Sequence, residues 1–149
     1  MKFNPYALHD WFSTNNHAAT IIIRLILGYV FLVAGLQKFI FPDDMGPGRF
    51  MEMGYSFPVF TAYFVGWFEI LGAVLMIIGF ATRFAAVPLI VIMATAIFTT
   101  KFPVLADEGF WSFAHALRLD FSMMMCALYM WFSGSDQRSL DYRIEKKGD

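Results

Sequence analysis

Four long apolar stretches, separated by short polar segments, dominate the pattern along the chain. They cover residues 18–41, 59–80, 84–100 and 111–132, and a polar tail follows at 133–149. An α-helix rises about 1.5 Å per residue, so about 20 residues cross the roughly 30 Å hydrocarbon core of a membrane. The pattern therefore predicts an all-α protein, an integral membrane four-helix bundle in which residues 1–149 form a single domain.

The segments between the spans are short and rich in turn-forming residues. Residues 42–58 contain Asp, Gly and Pro, and the part from Arg49 onward predicts one or two helical turns on the membrane surface. Residues 81–83 form a minimal turn, which makes the second and third spans antiparallel neighbours. The third span is the shortest, and we expect it to end at Thr100 in a connecting segment that contains Pro103.

Residues before the first span mix polar groups with aromatic ones. Asn4-Pro5 is typical of a helix start, and Leu8, Trp11 and Phe12 share one helix face. Because Trp favours the headgroup region, we predict a short N-terminal interfacial helix, with a disordered tail as the alternative.

Glu69 is the one charged residue of the second span, and it lies near the midplane. An ionised carboxylate there costs several kcal/mol unless it faces protein or water. Ala62, Gly66 and Gly72 recur on the same stripe, and small residues let membrane helices approach closely. We therefore place Glu69 on the packing face of the bundle.

The first and fourth spans bring further polar groups. Arg24 and Lys38 share one stripe of the first span with two glycines. In the fourth span, His115 and Arg118 share a face with Ser122 and Cys126, whereas Asp120 points elsewhere.

Charges within membrane spans are usually paired, so these groups predict a network. We expect Glu69 to pair with Arg24 or Arg118, and Asp120 to pair with Arg118 or Lys101. Two interpretations follow: structural ion pairs that fix the register of the helices, or a polar pocket that binds a quinone-like head group or relays protons.

Lys38, Lys101 and His115 have a similar depth toward one end of the bundle. We predict that they form the mouth of this pocket above Glu69, the alternative being three independent side chains that snorkel to water. The predicted catalytic residues are Glu69, Lys38 and His115. The predicted quinone-binding residues are Arg24, Lys101, Arg118 and Asp120.

Composition excludes several classes of function. The chain is 58% hydrophobic and 19% aromatic, which is too apolar for a soluble domain of 149 residues. Lys and Arg form no basic run outside the tail, so no nucleic-acid partner is expected, and a lone Cys126 allows no intramolecular disulfide. His9 and His17 precede the first span, so we expect no intrinsic haem and no metal site.

The distribution of cations predicts the orientation. Most Lys and Arg residues of the connecting segments and termini fall on the side that holds both termini, so both termini should be cytoplasmic in a bacterial inner membrane. This group consists of Lys2, Arg83, Arg138, Arg143, Lys146 and Lys147.

Three stretches together resemble the DoxX family of small bacterial membrane proteins. They are Arg24-Leu-Ile-Leu-Gly28 with Phe31 to Lys38, Gly66-Trp-Phe-Glu69-Ile-Leu-Gly72 running on to Arg83, and Gly134 followed by Arg138-Ser-Leu-Asp141. The matching motif positions are Arg24, Gly28, Gly35, Lys38, Glu69, Gly72 and Asp141. The departure is Gly134-Ser135-Asp136, where the family usually has a turn resembling Gly-Pro-Gly.

The resemblance implies a four-helix layout with both ends cytoplasmic and a role beside redox enzymes. It makes our leading hypothesis an integral membrane component of an oxidoreductase system. Such a component has no redox centre of its own, and its electron carrier is a bound quinone or a partner subunit. The alternatives are a non-enzymatic membrane scaffold that recruits soluble partners, and a transporter of protons or small solutes.

Overall fold

The computed structural model describes residues 17–134 and Ser139. The predicted interfacial helix before residue 17 and most of the predicted tail lie outside the described residues. Within the described part, the chain is all-α. The helices are α1 His17–Ile40, α2 Pro47–Glu52, α3 Pro58–Ile78, α4 Thr82–Ala96, a π-helical segment Ile97–Lys101, α5 Phe102–Glu108 and α6 Phe110–Ser133.

The prediction of a membrane helix bundle is confirmed. Three stretches of the described residues are long and apolar enough to cross a membrane: Thr20–Ile40, Pro58–Ile78 and Thr82–Glu108. The remaining long helix, α6, has the same length of 24 residues as α1 but carries the charged groups of the fourth predicted span.

The turn between α3 and α4 is built by its backbone. Gly79 ends α3 at φ 69°, in the left-handed region that glycine adopts without strain, and donates its N–H to the carbonyl oxygens of Leu75 and Met76. Ala81, two residues after Gly79, has φ 49° and is the N-cap of α4, which begins at Thr82. The connection is therefore as tight as predicted, and α3 and α4 run antiparallel.

The predicted end of the third span at Thr100 is wrong. The helix passes instead through the π-helical segment Ile97–Lys101 into α5, and it stops at Gly109. Pro103 does not break it because it occupies the first turn of α5, where a missing N–H costs no hydrogen bond. Pro88 lies inside α4, at its seventh residue.

Close helix contacts order the bundle. α1 packs mainly on α3, α3 on α4, and α4 on α6, while α6 also touches α1. Thr20 and Tyr129 hydrogen-bond at 2.9 Å across that last contact. The core between the helices consists mainly of Leu27, Phe31, Met76, Leu89, Met123 and Met130.

α2 forms the short helix predicted in the first loop. It packs against α3 and buries Phe50, so it covers one end of the bundle. We call this the α2 end. At the opposite end, the Arg83 guanidinium lies against Gly134, where α6 stops.

Candidate functional site

An ion pair between α1 and α3 lies within the bundle. Lys38, in the last turn of α1, donates a hydrogen bond from Nζ to Oε2 of Glu69 at 2.6 Å, and a second one to the carbonyl oxygen of Ala34 at 3.3 Å. The side chain of Glu69 is only 3% exposed, and that of Lys38 is 13% exposed. Among the described residues, Lys38 is the only hydrogen-bond donor to this carboxylate.

Glycines make this ion pair possible. A Cβ added at Gly35 would stand 2.9 Å from the carbonyl oxygen of Gly66 and 3.1 Å from Cβ of Glu69. The backbones of α1 and α3 therefore approach too closely for any larger residue at position 35. The approach brings Lys38, one turn after Gly35, within reach of Glu69.

A second ion pair joins the π-helical segment to α6. Lys101 Nζ lies 3.2 Å from Oδ2 of Asp120, and both side chains are 20% exposed. Lys101 is the last residue of the π-helical segment, and this segment contacts α6. This pair is longer and more exposed than the pair of Lys38 with Glu69.

Both ion pairs line the same cavity, which has a volume of about 320 Å³ and lies at the α2 end. Its apolar wall includes Phe50, Val65, Ile92 and Met93. Its other polar lining consists of Gln37, Arg49, Tyr55, Thr61, Thr95, Thr99 and Thr100. The cavity thus combines two ammonium groups and two carboxylates with apolar surface, which is the usual composition of a small-molecule site.

The predicted pairing of Glu69 with Arg24 or Arg118 is wrong, because Lys38 takes that place. Gly28 packs against Ala73 and Ile77 of α3, so Arg24, one turn earlier, lies beside Gly79 at the opposite end of the bundle. Arg24 is buried there, and its guanidinium also lies close to Ser139.

His115 and Arg118 lie outside the cavity, on the exposed face of α6. Their side chains contact each other, with Nη1 of Arg118 3.3 Å from Nδ1 of His115. His115 and Asp120 are five residues apart, so at about 100° per residue they point to nearly opposite sides of the helix. The predicted mouth of three basic groups is therefore formed by Lys38 and Lys101 without His115.

Of the predicted residues, the structure brings four together in one cavity: Lys38, Glu69, Lys101 and Asp120. The expected pairing of Asp120 with Lys101 is confirmed. The catalytic and binding roles assigned to all seven residues stay predictions. Sequence reasoning missed Arg49 and Tyr55, which reach the cavity because α2 folds over it. The sequence signal for Arg49 was that it is a lone cation in an acidic loop.

Comparisons with known proteins give one family model and several relatives. The DoxX family model matches residues 19–101. An uncharacterized membrane protein of Mycobacterium tuberculosis is 43% identical over 135 residues, which are 87% of this chain and 83% of the relative. An uncharacterized protein of Haemophilus influenzae is 34% identical over 149 residues, covering 98% of this chain and 96% of the relative.

A third relative carries a functional name. The Bacillus subtilis protein named "Putative oxidoreductase CatD" is 28% identical over 135 residues, which cover 87% of this chain and 92% of the relative. No solved structure matches the chain.

Proposed function

Because the chain belongs to the DoxX family of membrane proteins, we propose that it is an integral membrane component of an oxidoreductase system and binds a quinone head group in the cavity at the α2 end. The observation that carries this proposal is the convergence of two lysine–carboxylate pairs on one partly apolar cavity within the bundle. The name of the Bacillus subtilis relative supports the redox part of the proposal.

The residues of the cavity fit a quinone head group. Its volume of about 320 Å³ falls at the lower end of the roughly 300–1,000 Å³ typical of small-molecule sites, which suits a single substituted ring. Phe50, Val65 and Met93 offer apolar surface for the ring faces. The ammonium groups of Lys38 and Lys101 are donors for the two carbonyl oxygens, and a charged donor stabilises negative charge that develops on such an oxygen.

A quinone bound there would accept two electrons and two protons. Each lysine of the cavity can donate a proton toward the bound oxygen, and the carboxylate beside it stabilises the charged lysine in the resting site. Asp120 and Lys101, which are the more exposed pair, are the better placed to exchange protons with water. The electrons come from a partner subunit in this proposal.

Quinone content tests the proposal directly. We expect the full-length protein, solubilised in mild detergent from quinone-containing membranes, to retain quinone that solvent extraction and mass spectrometry detect. Lys101→Gln should weaken binding of added decylubiquinone by roughly tenfold or more, because loss of a hydrogen bond to a charged group costs about 1.5–3 kcal/mol. Tryptophan fluorescence quenching measures this binding.

His115→Ala is the matched control, because His115 is a basic residue of the same bundle that lies outside the cavity. It should leave both the retained quinone and the affinity for decylubiquinone unchanged. A parent protein that neither retains quinone nor binds decylubiquinone would refute the proposal.

A non-enzymatic scaffold is the second candidate, because each carboxylate of the cavity already has a lysine within ion-pair distance. Such pairs can fix helix register without any ligand. In that case Lys101→Gln would lower the thermal stability of the protein, while quinone would be absent from parent and variant alike.

A further inference from the structure

A stripe of exposed residues runs along α6 on the side away from the cavity. Its members are Trp111, His115, Arg118, Ser122 and Met125, and we call them the α6 stripe. They follow each other at alternating intervals of four and three residues, which is the spacing of a helix seam that packs against another helix. All five are exposed in the single chain, and Trp111 is 84% exposed.

Arg118 lies in the interior of α6, the helix that we expect to be the fourth span. It is eight residues from the start of α6 at Phe110 and 15 residues from its end at Ser133, which correspond to about 12 Å and about 22 Å of helix. When α6 spans a hydrocarbon core about 30 Å thick, these distances put Arg118 well inside it. Charged side chains at such depth normally face protein or water rather than lipid.

Within the part of the chain that the structure describes, no carboxylate forms an ion pair with Arg118. Its guanidinium contacts the imidazole of His115 at 3.3 Å, and its backbone oxygen accepts a hydrogen bond from the Ser122 hydroxyl at 2.6 Å. The two lysines of the cavity each have a carboxylate partner, whereas Arg118 has none among residues 17–134.

We propose that the α6 stripe packs against a transmembrane helix of a different polypeptide, one that carries an Asp or Glu at the depth of Arg118. The complementary charge would offset the cost of placing the Arg118 guanidinium within the membrane, and the seam spacing would let the side chains of the two helices interdigitate. This proposal goes beyond the cavity and does not depend on what the cavity binds.

Two other occupants fit less well. A second copy of this chain, related by an axis along the membrane normal, would bring two Arg118 side chains toward the same seam, where like charges repel strongly in a medium of low dielectric constant. A lipid phosphate group lies at the membrane surface, so Arg118 would have to extend its side chain most of the way along about 12 Å to reach it.

Site-specific photocrosslinking in cells that naturally make the protein tests the proposal. p-Benzoylphenylalanine at Ser122 should crosslink to one other polypeptide, and peptide mass spectrometry should place the crosslink within about one helical turn of an Asp or Glu in a membrane span. The matched control is the same probe at Leu71, an exposed apolar position on α3 at a similar depth, which should not crosslink to that polypeptide.

Charge variants connect the contact to Arg118. Arg118→Leu should reduce the Ser122 crosslink by at least about tenfold, because truncating one member of a desolvated charge pair weakens an interface strongly. Arg118→Glu should abolish it, and replacing the partner's mapped carboxylate with Arg should restore it. The purified Arg118→Leu chain should keep the thermal unfolding midpoint of the parent, which separates loss of the partner from misfolding.

Three results would overturn the proposal. They are a Ser122 crosslink that reaches only a second copy of this chain, a crosslink that reaches only lipid, and a crosslink to another polypeptide whose yield is unchanged in Arg118→Leu.

Discussion

Of the two ion pairs that line the cavity, the pair of Lys38 with Glu69 is the more buried, so its removal should be costly. Glu69→Ala leaves the Lys38 ammonium without its carboxylate, and breaking one side of a buried pair typically costs about 3–5 kcal/mol. Glu69→Gln keeps the size and one hydrogen-bond acceptor, so we expect a smaller loss. The free energy of unfolding in detergent measures both.

The double variant Lys38→Met/Glu69→Gln is the decisive comparison, because it removes both charges together. It should be more stable than Glu69→Ala, since replacing a buried ion pair as a whole is often nearly neutral. Glu52→Gln, at an exposed position of α2, is the control for removal of a carboxylate and should change little. If Glu69→Ala unfolds like the parent protein, the pair does not stabilise the bundle.

Asp120→Asn should be milder than Glu69→Ala. Its pair with Lys101 is 3.2 Å long and one fifth exposed on both sides, so water partly replaces the lost charge. We expect the free energy of unfolding to fall by no more than about 1.5–3 kcal/mol. An equal or larger loss than that of Glu69→Ala would contradict the ranking by burial.

At the scale of residues, the sequence was sufficient to find the chemistry but not to pair it. Glu69 and Asp120 stand out because charges inside apolar spans are rare, and their depth follows from counting residues along each helix. Depth alone does not tell which helices are neighbours or how each one is rotated. Arg24 was therefore assigned to Glu69, although the register of α1 on α3 carries it to the opposite end of the bundle.

At the scale of helices, a glycine that packs against backbone should tolerate substitution less well than a glycine that packs against a side chain. Gly35→Ala would press its Cβ against the carbonyl oxygen of Gly66, which cannot move without shifting α3. Gly72→Ala would meet the Leu89 side chain, with Cδ2 2.9 Å and Cγ 3.1 Å away, and a side chain can shift more readily than a helix backbone. We expect Gly35→Ala to lower the free energy of unfolding by about 1–3 kcal/mol.

Gly72→Ala is the matched control for that substitution, because it also gains the roughly 1 kcal/mol that Ala has over Gly in a helix. Its stability should therefore stay close to that of the parent. Gly35→Ala should in addition separate Lys38 from Glu69, so its effect should shrink in the Lys38→Met/Glu69→Gln background. Equal effects of Gly35→Ala in both backgrounds would mean that the contact and the ion pair are independent.

The boundaries of the helices were predicted where backbone chemistry fixes them. Pro58 at the start of α3 and Gly79 at its end are local signals, and the structure follows both. The third span was predicted to end at Thr100 in a connecting segment that contains Pro103, whereas Pro103 lies in the first turn of α5, which makes it compatible with a continuous path. The π-helical segment has no comparable local signal in the sequence.

At the scale of the whole molecule, the charged groups divide between the two ends of the bundle and its outer face. Lys38, Glu69, Lys101 and Asp120 gather at the α2 end, while Arg24 is buried at the opposite end. Arg118 belongs to neither, since α6 turns it outward. The arrangement follows from the packing of α6, which lies mainly on α4 and leaves its opposite face exposed.

The orientation of the molecule in the membrane follows from its cations and can be tested on its own. In a Cys126→Ser background, a cysteine at Asp44, in the loop of the α2 end, should react with an impermeant maleimide in intact cells, because we expect this end to face away from the cytoplasm. A cysteine at Glu145 should react only after the cells are permeabilised. Labelling of position 145 in intact cells would reverse the topology, and the cavity would then open toward the cytoplasm.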